Sequence, residues 1–270
     1  MESIKIIYIC SLGHSGSTLL DVMLSQHSKI HGLGEIMFFD EWMEDELLCS
    51  CGQKLEDCEF WSKARPDRFP GLGPLSDPDY VNHSFSLIEG AKQVSGATLL
   101  IDSSKSIHRL KILLSDPRFE VRVIHLVRNG LAVVNSLRKS HSRPGARNTL
   151  RTKATSPLKA VLRWVRRNKA MDKLGGEIDQ YLRVRYEDIC SDPETMMQQI
   201  SDFAGLEFER EMVYPKVNNI HNIGGSRWRF SNRPIEIKLD QKWETELGVV
   251  TRWLFRLIGG KLNQSYGYEK

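Results

Sequence analysis

IKIIYICSLGHSGSTLLDVMLSQHSKIHGLGE, residues 4–35, frames the reading of the whole chain. Its first part, Ile4 to Cys10, is an apolar run rich in β-branched residues and short enough for a buried strand. Ser11 to Thr18 is a Gly/Ser-rich turn, and beyond it Leu19, Leu20, Met23 and Leu24 recur at the spacing of one helix face. Strand, Gly/Ser loop and helix in that order bind phosphate. Glycine lets the backbone approach the anion, and the N–H groups of the first helical turn point at it. The loop is not a Walker A sequence, because Gly16 is followed by Ser17 and Thr18 with no lysine. Short hydroxyls and backbone amides suit a terminal 5′-phosphate better than a triphosphate. An ordinary strand-to-helix turn is the plain alternative.

The 270 residues are enough for one α/β domain with an elaborated insert. Apolar residues make up 40% and charged residues 27%, the balance of a soluble globular protein. A net charge of +4 gives no ground for a nucleic-acid partner and is compatible with a polyanionic ligand. No secretory leader and no membrane-spanning run is evident, so a cytoplasmic protein is expected. Five cysteines, an odd number, argue against a complete disulfide framework. Cys10 reads as a core residue. Cys49, Cys51 and Cys58 fall in an insert of about residues 38–74 that lacks clean periodicity. Their spacing is not the paired Cys-x-x-Cys of many zinc sites and no histidine lies among them, so free thiols are expected, ahead of a disulfide or a metal. Trp42 and Trp61 read as packing of the insert on the core, or as a wall of an acceptor pocket.

Three further strand ends carry chemistry. Thr98 to Ile101 leads into Asp102-Ser103-Ser104-Lys105 and a helix through Leu114; Asp102 or Ser103 could cap that helix while Lys105 reacts. Val121 to Val127 leads into Arg128, Asn129-Gly130 and a helix bearing Ser136. Arginine supplies a planar fork of donors for an anion, and a surface salt bridge is the alternative. Leu182 to Arg185 leads into Tyr186-Glu187-Asp188, then a helix from Thr195 to Ala204 capped by Gly205. The basic segment 140–156 reads as a mobile loop. In His221–Phe230, Gly224-Gly225 makes a backbone anion nest plausible, and Arg227 and Arg229 add charge. Trp243 to about Ile258 reads as one final amphipathic helix.

Gly-His-Ser-Gly-Ser-Thr-Leu-Leu, followed by Gly34-Glu35, resembles the 5′-phosphosulfate loop of sulfotransferases that use 3′-phosphoadenosine 5′-phosphosulfate (PAPS), in the branch that includes bacterial and tyrosylprotein enzymes. The Asp102–Lys105 segment, Arg128 with Ser136, and the Arg-Tyr-Glu-Asp string are similar to further motifs of that family, in the same order. The resemblance implies a three-layer, P-loop-like α/β fold with a central, mostly parallel sheet flanked by helices, in a single domain over residues 1–270. It implies sulfuryl transfer to a hydroxyl or amine of a small-molecule, carbohydrate or peptide acceptor, with adenosine 3′,5′-bisphosphate as product and no metal. Glu35 matches the catalytic base and Lys105 the lysine at the transfer centre. His14, Ser15, Gly16, Ser17 and Thr18 match the 5′-phosphate loop, Arg128 and Ser136 the 3′-phosphate site. Tyr186 matches a position near the nucleoside, and Arg227 a C-terminal loop that closes over the 3′-phosphate. His14 stands where many members have arginine, and Asn129-Gly130 departs from Asp-Pro. A nucleotide or small-molecule kinase, with Asp102 as metal carboxylate, and a non-catalytic nucleotide-binding protein are the rival readings.

Overall fold

The computed structural model describes residues 2–139, 141–143, 150–152, 154–217, 220–230 and 235–268. Strand β1 (Ile4–Ser11) is followed by α1 (Ser17–Leu24) and β2 (Ile30–Gly32). The insert contributes only two short helices, α2 (Phe39–Glu44) and α3 (Glu59–Ala64), before α4 (Tyr80–Ser95). Then come β3 (Leu99–Asp102), α5 (Ile107–Leu114), β4 (Phe119–Val127) and α6 (Gly130–Leu137). A small antiparallel pair, β5 (His141–Arg143) and β6 (Leu150–Thr152), precedes α7 (Pro157–Gly175) and β7 (Tyr181–Arg185). The chain ends through α8 (Tyr186–Ser191), α9 (Pro193–Ala204), α10 (Trp243–Glu246) and α11 (Val249–Ser265).

Five strands form one sheet in the order β2-β3-β1-β4-β7, every neighbouring pair parallel. β1 is central: Tyr8 sits opposite Asp102 of β3 on one side and Val123 of β4 on the other. Its side chains alternate between two layers, as a strand's must. Ile7 and Ile9 pack with Leu20 and Met23 of α1 and Met197 and Ile200 of α9. Ile6, Tyr8 and Cys10 pack with Leu87 of α4, Leu110 of α5 and Met171 of α7. A third cluster, built from α6, α7 and α11 around Trp164 and Phe255, lies beyond the end of β4. Both faces of the sheet are therefore covered, which is why its strands read as near-continuous apolar runs. The parallel register brings the ends of β1, β3 and β4 to one edge, as the sequence predicts. Among the described residues, no helix is long and apolar enough to cross a membrane.

Three expectations need correction. The last helix is not continuous from Trp243 to Ile258: it breaks at Leu247 and Gly248, both with extended backbone, and restarts as α11. Arg252 Nε donates to the Leu247 carbonyl at 2.7 Å, taking up an acceptor that the break releases. Neither Asp102 nor Ser103 caps α5; Ser106 does, its hydroxyl accepting from Arg109 N. Part of the basic segment 140–156 is the β5–β6 ladder rather than a loop; residues 140, 144–149 and 153 lie outside the described residues, so the mobile-loop expectation is not addressed there.

Candidate functional site

The loop after β1 turns sharply before α1. His14 and Gly16 both adopt left-handed backbone, with φ of 74° and 92°. At Gly16 a Cβ would stand 2.3 Å from the Tyr186 ring, so the position demands glycine for conformation and for space. Ser15 and Ser17 are buried, while the His14 side chain is exposed. Helix α1 carries no acidic residue in its first turn. Its N-terminal N–H groups lack partners within the helix, and the helix dipole there favours an anion.

Arg128 extends this site from the end of β4. It is nearly buried, its guanidinium stacks 4.5 Å over the Tyr186 ring, and Nη1 donates to the His14 carbonyl at 3.0 Å. Nη2 donates to the carbonyl of Asp240 at 3.0 Å and lies 3.2 Å from its Oδ2. Burial pushes the Asp240 carboxyl up, but the Lys242 N–H and Arg128 outweigh it and leave it below the usual range. Tyr186 donates its hydroxyl to the Lys238 carbonyl, so this ring is both a satisfied packing residue and the floor under Arg128. Asn129 caps α6 by accepting from Leu131 N. At Gly130 a Cβ would meet Phe255 at 2.1 Å, so the Asn-Gly departure fits a close crossing with α11. Ser136 lies half-buried further along α6.

Glu35 and Lys105 meet at the same sheet edge. Lys105 Nζ lies 2.6 Å from Glu35 Oε1, and Gly225 N donates to that oxygen at 3.0 Å. Lys105 has φ 66°, a strained conformation for a side chain of this size. Its neighbours hold it there. Ser104 N donates to Asp102 Oδ1, Ser104 Oγ accepts from Met37 N, and the Ser106 carbonyl accepts from Tyr8 OH. Asp102 itself is fully buried, and its other oxygen accepts from Arg109 Nε at 2.8 Å. Arg109 is held in turn by Tyr80 OH and Ser84 Oγ. Asp102 is therefore spent on shaping the turn, which removes the metal carboxylate that a kinase needs.

The 220–226 segment reaches this edge by strand-like stitching: Ile223 N donates to the Leu33 carbonyl, and Glu35 N to the Ile223 carbonyl. Gly225 then bonds Glu35, and Ser226 N donates to Thr18 Oγ1 at 3.1 Å. This end of the segment thus bonds Glu35 and Thr18, and Arg128 meets Asp240 besides His14 and Tyr186. The side chain of Arg227 lies outside the described residues. Arg229 is buried and donates to the carbonyls of Asn222 and Leu48, a structural role. Sequence reading missed Asp240, the Gly225 bond to Glu35 and the Arg109 network; the first two lie more than a hundred residues from their partners, while Arg109 is seven residues from Asp102 across a turn and further from Tyr80 and Ser84. It also missed His221, whose Nδ1 lies 3.3 Å from Cys58 Sγ across 163 residues.

Comparison with known proteins bears on this arrangement. The profile of the Sulfotransferase family matches residues 7–210. A mouse (Mus musculus) protein, carbohydrate sulfotransferase 5, is 32% identical over an alignment of 180 residues that covers 58% of this chain and 44% of that protein. The chain thus spans less than half the length of that curated relative. Among solved structures, the sulfotransferase domain of the Synechococcus PCC 7002 olefin synthase superposes with a TM-score of 0.57 at 22% identity, covering 100% of this chain and 96% of that one. The sulfotransferase domain from the curacin biosynthetic pathway gives 0.56 at 19% identity, covering 100% and 99%. At these identities the structural likeness concerns the fold.

Proposed function

The chain belongs to the sulfotransferase family, and from that premise we propose that it transfers a sulfuryl group from PAPS to a hydroxyl or amine of an acceptor, acting as one domain. The observation that carries this reading is the Glu35–Lys105 pair set beside the Gly16 loop on one sheet edge. The residues fit such a donor. Gly16 leaves the backbone open to an anion, and the buried Arg128 Nε has no hydrogen-bond partner among the described residues. Ser15, Gly16, Ser17 and Thr18 would hold the 5′-phosphate, with His14 contributing its carbonyl to Arg128. Arg128 and Ser136 would hold the 3′-phosphate, and Tyr186 would support Arg128 from below. PAPS supplies an activated sulfuryl group, whose charge is lower than that of a terminal phosphoryl group, so the transfer itself calls for no metal.

Glu35 takes the acceptor proton. Lys105 and Gly225 both bond Oε1, which leaves Oε2 as the oxygen for that proton. Lys105 neutralises charge that develops on the oxygen leaving the sulfuryl group, a positioning and electrostatic role like that in phosphoryl transfer. The name of the mouse relative supports carbohydrate hydroxyls as the first acceptors to try. Among the described residues no cysteine is paired in a disulfide, which supports the cytoplasmic location expected from the sequence. The test is transfer of radiolabelled sulfate from PAPS to a panel of carbohydrates and small alcohols. The reading requires adenosine 3′,5′-bisphosphate to bind and to inhibit transfer; selective binding of ATP would reinstate the kinase.

A further inference from the structure

The reaction above uses none of Cys49, Cys51 and Cys58, yet the fold assembles them around His221. Cys58 Sγ lies 3.7 Å from Cys49 Sγ and 3.7 Å from Cys51 Sγ. His221 Nδ1 lies 3.3 Å from Cys58 Sγ and 3.8 Å from Cys49 Sγ. All four ligand atoms fall within 4.8 Å of one another. A disulfide would bring two sulfurs to about 2.05 Å, so none of these pairs is one. Tetrahedral zinc, with Zn–S of about 2.3 Å and Zn–N of about 2.0 Å, has S–S edges of about 3.8 Å and S–N edges of about 3.5 Å. The two S–S distances of 3.7 Å lie close to that edge, and the S–N distances of 3.3 and 3.8 Å fall on either side of theirs.

The surroundings are built to the same end. Cys49 N donates to the Gln53 carbonyl and Gly52 N to the Cys49 carbonyl, folding Cys49 and Cys51 into one tight turn. The His221 ring stacks on Phe60 at 4.9 Å with an interplanar angle of 7°, which fixes its orientation. Its backbone is clamped on every side. Trp61 Nε1 donates to the His221 carbonyl, Ser50 Oγ donates to the Ile220 carbonyl, and Asn222 N donates to Ser50 Oγ. Cys49 and Cys58 are fully buried, and Cys51 is exposed and opens a path from solvent. Three thiolates and Zn²⁺ leave one negative charge, which the buried Arg229 guanidinium, within electrostatic reach of Cys49, offsets.

We infer that Cys49, Cys51, Cys58 and His221 form a Cys₃His zinc site that staples the insert to the 220–226 segment. The site is structural, since all four positions are filled by protein. Its consequence reaches the candidate active site. His221 is four residues from Gly225, whose amide bonds Glu35, so the metal fixes the near end of the segment that orients that carboxylate. Sequence spacing conceals the site, because Cys49 and Cys51 are separated by one residue and the fourth ligand comes from beyond the last sheet strand.

The test is elemental analysis of the purified chain after exchange into buffer with a weak chelator. The wild type should retain a single equivalent of zinc. Cys51→Ser, chosen because the residue is exposed, and His221→Ala should each weaken zinc affinity by more than about a hundredfold, beyond what loss of an outer partner costs. Independently of any variant, a strong chelator should lower the melting temperature of the wild type, and zinc but not magnesium should restore it. Cobalt in place of zinc should give the intense sulfur-to-metal absorption of a thiolate site, lost in Cys51→Ser. A wild type that stays metal-free after zinc loading sinks the inference, as does stoichiometric zinc retained in both variants. Binding of adenosine 3′,5′-bisphosphate is measured separately, so a protein that binds nucleotide but no zinc overturns the metal site alone.

Discussion

Glu35 and Lys105 are joined through a single oxygen, Oε1, at 2.6 Å, and the same atom accepts from the Gly225 amide. A carboxylate tethered this way keeps its direction while one oxygen stays available to a proton. Replacing Glu35 by Gln keeps the shape and removes the base. Transfer should fall by about 10²–10⁴-fold, while the dissociation constant for adenosine 3′,5′-bisphosphate stays within about twofold because the carboxylate is not part of the anion loop. Single-turnover assays and calorimetry on the same preparation separate the two effects. Equal loss of binding and turnover would place Glu35 in the nucleotide site instead.

Arg128 presents a different situation, because its fork is engaged by Asp240. Arg128→Ala should cost the 3′-phosphate a charged hydrogen-bond pair, about 2 kcal/mol, or roughly thirtyfold in Kd. The affinity for 5′-AMP should hardly change. Asp240→Asn should do the reverse for the bisphosphate, tightening it by at most about fivefold, since a half-exposed ion pair is worth about 1 kcal/mol or less. Calorimetric titration of both variants with both nucleotides checks this. Equal weakening of the two ligands by Arg128→Ala would remove the 3′-phosphate from this site.

Gly16 should tolerate no side chain. Alanine there must hold a φ of 92° and place its Cβ against the Tyr186 ring. The conformation alone costs about 1–2 kcal/mol, and the clash adds to it. We expect denaturant melts to show a loss above about 2 kcal/mol, with bisphosphate binding abolished. Adding Tyr186→Ala should recover the clash but not the conformational cost. If Gly16→Ala costs as much stability in the Tyr186→Ala background as in the wild type, the ring is not the obstacle.

Asp21 links pH to stability. Burial pushes its carboxyl up to about 6, against the pull of hydrogen bonds from Ser103 and Asn222 and the charge of Lys105. The folded state thus prefers the protonated form more than the unfolded chain does. Its contribution to stability is complete below the ordinary carboxylate range and is lost as pH rises through about 6. From pH 4 to pH 7 this amounts to about 2–3 kcal/mol. Asp21→Asn carries no such titration, so its stability relative to wild type should improve across that interval. Urea melts of both proteins at several pH values read the difference; a difference that stays flat with pH would falsify the assignment.

Much of the sheet was legible because buried parallel strands announce themselves. Residues 4–10 and 121–127 are mostly apolar runs bounded by turn formers, broken only by Lys5, Arg122 and His125, and no tertiary knowledge is needed to place them. The Gly205 cap that ends α9 is equally local. The Glu35–Lys105 pairing was accessible only as a family resemblance, since 70 residues separate the two. Asp240 on Arg128, His221 on the cysteines and Arg109 under Asp102 were not legible at all. The first two are polar contacts fixed by where distant segments cross, the third by the turn between β3 and α5, and a single charged or imidazole side chain carries no periodicity to betray its partner. The final helix was misread because its break rests on extended backbone at Leu247 and Gly248, which the amphipathic pattern running through 243–258 does not mark.

The position of β1 in the middle of the sheet has a consequence for biosynthesis. Its two hydrogen-bonding partners are residues 100–102 and 119–126, so β1 stays unpaired until two strands later in the sequence have been made. Parallel pairing across such separations is slow, and an apolar, β-branched segment held open in the meantime is prone to self-association. Ile4–Ser11 is therefore the segment most open to self-association before the sheet closes, and a polar substitution at Ile7 or Ile9 would relieve that only by removing the core it is meant to build.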